Sequence, residues 1–136
     1  MPGRARAWGR RILTGVAAAT AVGGVVVDAN RTHLFNPAWP PHARFHDAQT
    51  ISLAALLGGG GLYALHRRDD AAAGAALPAL FWASMASAFL YPGTGGLQAE
   101  FPELIPRIRG VWIDERFAAG TMLGLGAVGY VLTRRR

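Results

Sequence analysis

Three of the four histidines of this chain lie in one short stretch, residues 28–47, among aspartates, an arginine and aromatic side chains. An imidazole titrates near neutral pH, and a carboxylate beside it can orient it and stabilise its charged form, as acid–base catalysis requires. Asp28 ends an apolar segment, where the helix dipole disfavours a carboxylate, so we expect it to have a cationic or imidazole partner. The predicted catalytic residues are Asp28, His33, His42 and His46.

Proline placement predicts where this stretch becomes helical. Asn36-Pro37 is a turn signal, and Pro40-Pro41 suit the first turn of a helix. On that helix His42, His46 and Gln49 share one face, at spacings of four and three residues. The start of the helix is therefore expected to present two imidazoles and an amide side by side.

A later polar connection, residues 92–114, is expected to face the same side. It could lie over the histidine-bearing stretch as a lid, or it could be a solvated loop. Its Glu100 and Glu103 are potential partners for Arg31, Arg44 or the imidazoles. The residues predicted to bind a substrate are Asn30, Asn36, Trp39, Arg44, Gln49, Glu100 and Glu103.

The same histidines offer an alternative as metal ligands. His33, His42 and His46 would supply imidazoles for zinc or iron, with a carboxylate from Asp28 or Asp47. A His-x-x-x-His spacing suits ligation from one helix, but the stretch lacks the Glu of the metalloprotease helix motif. We therefore predict neither a metal nor another cofactor, and a metal-binding membrane protein stays an alternative.

Four apolar segments must position these residues. Each is about 16–21 residues long, and a helix of about 20 residues spans the hydrocarbon core of a bilayer. Backbone groups in lipid must be satisfied internally, so helix is the expected state. The sequence predicts an all-α integral membrane four-helix bundle, a single membrane domain over residues 1–136. The expected helices are at about 11–28, 41–66, 71–91 and 115–133, with outer loops at about 28–40 and 92–114.

Arginine placement predicts the orientation. All 14 basic residues are arginine. Those flanking the expected N-terminus, second turn and C-terminus are Arg4, Arg6, Arg10, Arg11, Arg67, Arg68, Arg134, Arg135 and Arg136. Those on the opposite side are Arg31, Arg44, Arg107, Arg109 and Arg116. The arginine-rich side should be cytoplasmic, which puts both termini in the cytoplasm and the histidines outside a multi-pass protein of the cell membrane.

Two features of the apolar segments leave alternatives open. The first segment could be a cleaved signal peptide, since a basic start precedes an apolar stretch that ends in small residues. Glycine is abundant, at 18 residues. Small residues let helices approach closely in lipid, either within the bundle or, through Gly120 and Gly124, between two copies of the chain.

Aromatic residues cluster near the expected helix ends. Tryptophan and tyrosine partition to the membrane interface, so an anchoring role is expected for Trp8, Phe35, Trp39, Phe45, Tyr91 and Trp112. Trp82 is different, because it lies in the middle of the third segment. It either lines a cavity together with Ser84, Met85 and Ser87 or packs within the bundle.

Residues 32–50, THLFNPAWPPHARFHDAQT, with Asp28 and Asn30 before them, resemble a family of small four-helix membrane proteins of bacteria and fungi. That family has no assigned function, although some fungal members carry an acetyltransferase label. This sequence shows no acyl-donor site that would support the label. The architecture is also similar to that of the sterol-isomerase and sigma-2-receptor superfamily, whose helical bundles bind sterol-like molecules in a membrane cavity. That similarity implies a lipophilic ligand and transfers no residue.

Several functional classes find no support in the sequence. Without cysteine there is neither a disulfide framework nor a thiolate metal site. Phosphate-binding, dinucleotide-binding, nucleophile-elbow and nucleic-acid-binding motifs are also missing. Three hypotheses remain: a protein that binds or converts a small lipophilic molecule by acid–base chemistry, a metal-dependent membrane protein, and a non-enzymatic scaffold. The expected partners are the bilayer, a lipophilic ligand and a second copy of the chain, but not nucleic acid.

Overall fold

Four α-helices make up most of the structure, a computed structural model that describes residues 2–134 and only the backbone of Pro2. The helices are α1 (Pro2–Asp28), α2 (Pro41–Arg67), α3 (Ala71–Ala88) and α4 (Glu115–Arg134). A first connection, residues 29–40, joins α1 to α2, and a second connection, residues 89–114, joins α3 to α4. Arg135 and Arg136 of the predicted arginine cluster lie outside the described residues.

Two helix ends differ from the expected bounds. α1 begins at Pro2 rather than near residue 11, because arginine and alanine are good helix formers and carry the helix beyond its apolar part. α3 ends at Ala88 rather than at residue 91. Pro92 disfavours the helical conformation at Tyr91, so the chain leaves the helix before it.

The second connection contains a small β-hairpin in a fold that was expected to be all-α. Strands β1 (Arg107–Ile108) and β2 (Val111–Trp112) pair antiparallel, after two short 3₁₀ turns at Leu97–Ala99 and Pro102–Leu104. The two turn residues, Arg109 and Gly110, have φ of 50° and 84°. Positive φ at both positions is what a two-residue type I′ hairpin requires.

The helices pack closely through small residues. α1 packs against α2, α4 and, less extensively, α3, and α3 also packs against α2 and α4. A Cβ atom on Gly58 would meet the backbone of Ala17 and Ala21, and one on Gly9 would meet the backbone of Gly129 and Thr133. These glycines therefore serve packing within the bundle.

Other glycines of α4 face outward. A Cβ atom on Gly120 or Gly124 would meet nothing within 4 Å, and both residues are exposed. Among the described residues their small-xxx-small spacing supports no close helix contact, and contact between two copies through this face stays a prediction.

Trp82 joins the middle of α3 to α1. Its Nε1 donates a hydrogen bond to Thr20 Oγ1 at 2.8 Å, and Thr20, 1% exposed, donates in turn to Val16 O at 2.8 Å. The ring also lies edge-on to Phe81, with centroids 5.3 Å apart. These contacts favour packing within the bundle for this residue.

Three of the helices, α1, α2 and α3, are long and apolar enough to cross a membrane. α4 has 20 residues, but four of them are glycines, which lower the hydropathy of the helix. Arg116 and Arg134 lie near its two ends. Large apolar side chains point away from the bundle on several helices, among them Val26 (76% exposed) and Leu56 (72% exposed). A bundle in water would leave these side chains exposed, whereas a bundle in a bilayer would cover them with lipid.

The described members of the three arginine clusters lie at one end of the bundle, which we call the arginine-rich end. Arg6 and Arg10 of α1 both contact Asp69 in the turn between α2 and α3, and Arg10 also donates to Leu65 O at 2.6 Å. A cleft of about 330 Å³ is lined by these residues and by Tyr130, Thr133 and Arg134 near the end of α4. The start of α1, this turn and the end of α4 therefore lie together, as the orientation prediction requires.

Candidate functional site

The first connection is held in shape by hydrogen bonds of its own asparagine side chains. Asn30 donates from Nδ2 to Val27 O, and its Oδ1 accepts from the backbone N and the Oγ1 of Thr32, at 2.8 and 2.6 Å. Asn36, which is buried, accepts from Ala38 N at 2.9 Å and donates to Thr32 O at 3.3 Å. Both asparagines were predicted to bind a substrate. In the structure their side chains form hydrogen bonds that stabilise this loop.

These loop contacts indicate which nitrogen of a neutral His33 ring carries the hydrogen. Asn30 Oδ1 carries no hydrogen, so the Thr32 hydroxyl must donate to it across their 2.6 Å contact. Thr32 Oγ1 then acts as an acceptor toward His33 Nδ1 at 2.8 Å, and we assign the hydrogen of the neutral ring to Nδ1. His33 Nε2 is left with a lone pair, 3.8 Å from Asp28 Oδ1.

Two carboxylates, those of Asp28 and Asp47, lie within electrostatic range of this imidazole. Asp28 lies within electrostatic range of His33, Asp47 and Glu115, and the side chains of His33 and Asp28 are only 21% and 18% exposed. Asp47 Oδ2 and Glu115 Oε2 are buried, with no hydrogen-bond partner among the described residues. A buried acceptor without a donor is costly, which makes these two oxygens candidates for contact with a bound molecule.

An open cleft of about 410 Å³ lies beside His33, and we call it the loop-end cleft. Both connections, the end of α3 and the first residue of α4 form its walls. Its lining residues are Thr32, His33, Trp39, Met85, Ala88, Phe89, Gly95, Gly96, Leu97, Ala99, Glu100 and Glu115. Trp39 stands edge-on to His33, with ring centroids 5.9 Å apart. The lining thus combines apolar side chains with one imidazole and two carboxylates.

The second connection is anchored to the start of α4. Leu97 N donates to Glu115 Oε1 at 2.8 Å, and Gln98 Nε2 donates to Asp114 Oδ2 at 3.0 Å. Asp114, 5% exposed, also accepts from Arg116, and this hydrogen bond holds the pKa of the Asp114 carboxyl below its usual range. The segment around Leu97 is therefore a fixed wall of the loop-end cleft rather than a fully solvated loop.

His42, His46 and Gln49 lie on a different surface. They are side by side on α2, as their spacing predicts, with His42 Nε2 3.1 Å from His46 Nε2 and His46 Nδ1 3.4 Å from Gln49 Oε1. All three are exposed and none lines the loop-end cleft. Within residues 2–134, no group of three or more His, Asp or Glu side chains is placed to hold a metal ion.

The remaining predicted residues divide between the two connections. Arg44 is half-buried and donates from Nη2 to Asn36 O at 2.7 Å, so it supports the first connection. Glu100 lines the loop-end cleft, whereas Glu103 is exposed and outside it. Among the described residues neither glutamate forms an ion pair with Arg31 or Arg44.

Sequence reasoning missed Glu115 and Thr32 as members of the site. Acidic residues are common in the first turn of a helix because they suit its dipole, so Glu115 gave no separate indication of a site. Thr32 acts through Asn30 and His33, and that role depends on a turn whose geometry the sequence does not display.

A family model described as "Family of unknown function (DUF6640)" matches residues 12–136. This match supports the expected membership in a family without an assigned function. No curated protein and no solved structure matches the chain. The similarity to sterol-isomerase-like bundles therefore stays a prediction.

Proposed function

Because this chain belongs to the DUF6640 family of unknown function, we propose its activity from the loop-end cleft. It is a multi-pass membrane protein that binds a small lipophilic molecule in this cleft and moves a proton on it. The substrate class is a mainly apolar molecule with one polar group. The reaction class is isomerisation or cyclisation by acid–base chemistry.

The membrane setting is supported by the three apolar helices and by the bundle that they form with α4. α4 packs along both α1 and α3, so it would share their depth in a bilayer despite its glycines. The arginine-rich end would lie in the cytoplasm, since positive charge is retained on that side. The loop-end cleft, beyond the other end of α1, would then open at the outer face.

The observation that carries the proposal is the array Asn30–Thr32–His33–Asp28, of which Thr32 and His33 line the cleft. It leaves a lone pair on His33 Nε2 and puts a carboxylate 3.8 Å away. A base oriented in this way can take a proton from one position of a bound molecule and return it at another. Asp28 would stabilise the imidazolium between the two steps, and the sequence of steps needs no cofactor.

The other side chains of the cleft suit the proposed ligand. Met85, Phe89 and Leu97 would contact its apolar part. The unpartnered Glu115 Oε2 would accept a hydrogen bond from its polar group. His42 and His46, which do not line the cleft, have no part in this chemistry.

Filling the cleft tests the proposal. We would purify the wild type and Ala88→Phe in a mild detergent and identify small molecules that co-purify by mass spectrometry. Ala88 lines the cleft, so a phenylalanine there should remove the bound molecule. Ala83→Phe, on an exposed face of the same helix and outside the cleft lining, is the matched control and should retain it.

His33→Gln separates binding from conversion. It should still carry a molecule but should accumulate the unconverted form, with a rate lower by about 100-fold or more, the usual contribution of one general base. A wild type that carries no lipophilic molecule, or carries the same amount as Ala88→Phe, would reject the proposal and leave the scaffold hypothesis.

A further inference from the structure

We propose that His42 and His46 form a binding site for one divalent transition-metal ion near the start of α2. The site is separate from the loop-end cleft and does not depend on the function proposed for it. Its ligands are the Nε2 atoms of the two imidazoles, which lie one helical turn apart. Water would fill the remaining coordination positions.

The distance between the two nitrogens suits a shared metal ion. Zinc binds imidazole nitrogen at about 2.0–2.1 Å, so two ligands of a tetrahedral site are about 3.3 Å apart. The His42 and His46 Nε2 atoms are 3.1 Å apart, with the rings inclined at 75°. Rotation of either ring by a few degrees would give the ligand spacing without moving the backbone.

The neighbour of His46 Nδ1 favours ligation through the Nε2 atom of that ring. His46 Nδ1 lies 3.4 Å from Gln49 Oε1, and an amide oxygen can only accept, so Nδ1 carries the hydrogen and Nε2 has the lone pair. A ring N–H donated to an acceptor is the usual outer-shell contact of a metal-bound histidine. The His42 ring lies nearly parallel to the Phe45 ring, with centroids 6.1 Å apart and an interplanar angle of 3°.

The surroundings leave room for an ion. His42 and His46 are both exposed, so an ion can reach them from solution. The nearby Arg44 donates to Asn36 O in the first connection, so its guanidinium is held by a backbone contact of its own. Two imidazoles favour copper(II), nickel(II) and zinc over magnesium or calcium, which prefer oxygen ligands.

Copper(II) is the probe for the first test. We would purify the full chain through a tag without histidine, reconstitute it in lipid nanodiscs and titrate it with copper(II) under electron paramagnetic resonance. We expect one equivalent of copper per chain with hyperfine coupling to two imidazole nitrogens. His42→Gln and His46→Gln should each weaken binding at least about tenfold, since even loss of an outer-shell partner costs about 10–100-fold.

His66→Gln is the matched control, because His66 is an exposed histidine at the opposite end of α2, where its ring is hydrogen-bonded to Thr14. It should bind copper like the wild type. Equal binding by the wild type, His42→Gln and His46→Gln would overturn the proposal. So would loss of binding in His33→Gln with retention in the other two, which would move the metal to the loop-end cleft.

A measurement on the wild type alone guards against variants that fail to fold. Diethylpyrocarbonate modifies accessible imidazole nitrogens, and modified residues are identified by mass spectrometry. Zinc should protect His42 and His46 and leave the reactivity of His66 unchanged. Equal modification of His42 and His46 with and without zinc would contradict the site.

Discussion

Asn30 connects the shape of a turn to the position of a proton. Its amide nitrogen holds the last turn of α1, while its oxygen orients the Thr32 hydroxyl toward itself and away from His33. The residue was predicted to contact a substrate, and that stays a prediction; the contacts in the structure give it a positioning role. Loop geometry and the chemistry of His33 are therefore coupled through one side chain.

Asp114 provides a pH-dependent test at the same scale. The hydrogen bond from Arg116 lowers the pKa of the Asp114 carboxyl in the folded state, so its stabilisation is complete above the ordinary value of about 3.9. That stabilisation is lost as the pH falls through the lowered folded-state value. Asp114→Asn should therefore reduce the melting temperature at pH 7, and the gap to the wild type should shrink below about pH 4.

Thermal unfolding in detergent, followed by circular dichroism between pH 2.5 and 7, measures this gap. Glu103→Gln is the control, because Glu103 is exposed and is in none of the ion pairs of the described residues. The melting temperature of this variant should equal that of the wild type at every pH. A gap for Asp114→Asn that is constant over the whole range would contradict the ionic origin of the effect.

Residue types alone indicated only part of the site. Asp28 and His33 were predicted together, and the structure brings them to 3.8 Å. His42 and His46 were grouped with them because all lie within one stretch. The face that α2 turns toward α1, set by the contact of Gly58 with Ala21, directs the two histidines to the surface. Sequence spacing defines which residues share a face but not where that face points.

At the scale of elements, close approach between helices depends on individual glycines. The contacts of Gly58 are with backbone atoms of α1, which cannot rotate away as a side chain can. Gly59, the next residue, has nothing within 4 Å of its Cβ position. The four consecutive glycines of α2 are therefore not equivalent.

The pair Gly58→Ala and Gly59→Ala tests this difference. A methyl group on Gly58 would lie 2.6 Å from Ala17 O, so the helices must separate, at a cost of about 1–3 kcal/mol typical of overpacking. Gly59→Ala should be neutral or up to about 1 kcal/mol more stable, because alanine favours helix. Denaturant unfolding in micelles measures both, and equal effects would show that α1 and α2 do not approach closely at Gly58.

The elements were predictable where one physical requirement dominated. The lengths of the four apolar segments indicated four helices, and the placement of the prolines indicated that α2 starts at Pro41. The arginine-rich first turns of α1 and the β1–β2 hairpin were not foreseen. Helix propensity continues beyond an apolar segment, and an Arg-Gly turn lacks the Asn or Asp that normally signals a hairpin.

For the whole molecule, the arrangement separates two kinds of surface along the helix axis. The arginine-rich end and the loop-end cleft lie at opposite ends of α1, about 40 Å apart for a helix of 27 residues. That length exceeds the hydrocarbon core of a bilayer, so both ends would reach the aqueous boundaries.

Cysteine labelling tests the proposed orientation cleanly, because the natural chain has no cysteine. Glu103→Cys in the second connection should react with a membrane-impermeant maleimide in intact cells. Arg68→Cys at the arginine-rich end should react only after the membrane is opened. The reverse pattern would place the loop-end cleft in the cytoplasm, and labelling of both in intact cells would argue against membrane insertion.

The contact between Gly9 of α1 and Gly129 of α4 has a consequence for biosynthesis. The ribosome makes the first helix of the bundle well before the last, and at about 5–20 residues per second the interval is several seconds or more. During that time the surface of α1 around Gly9 and Leu13 lacks its α4 partner. A nascent chain stalled before α4 would leave this surface uncovered, although both residues are buried in the complete bundle.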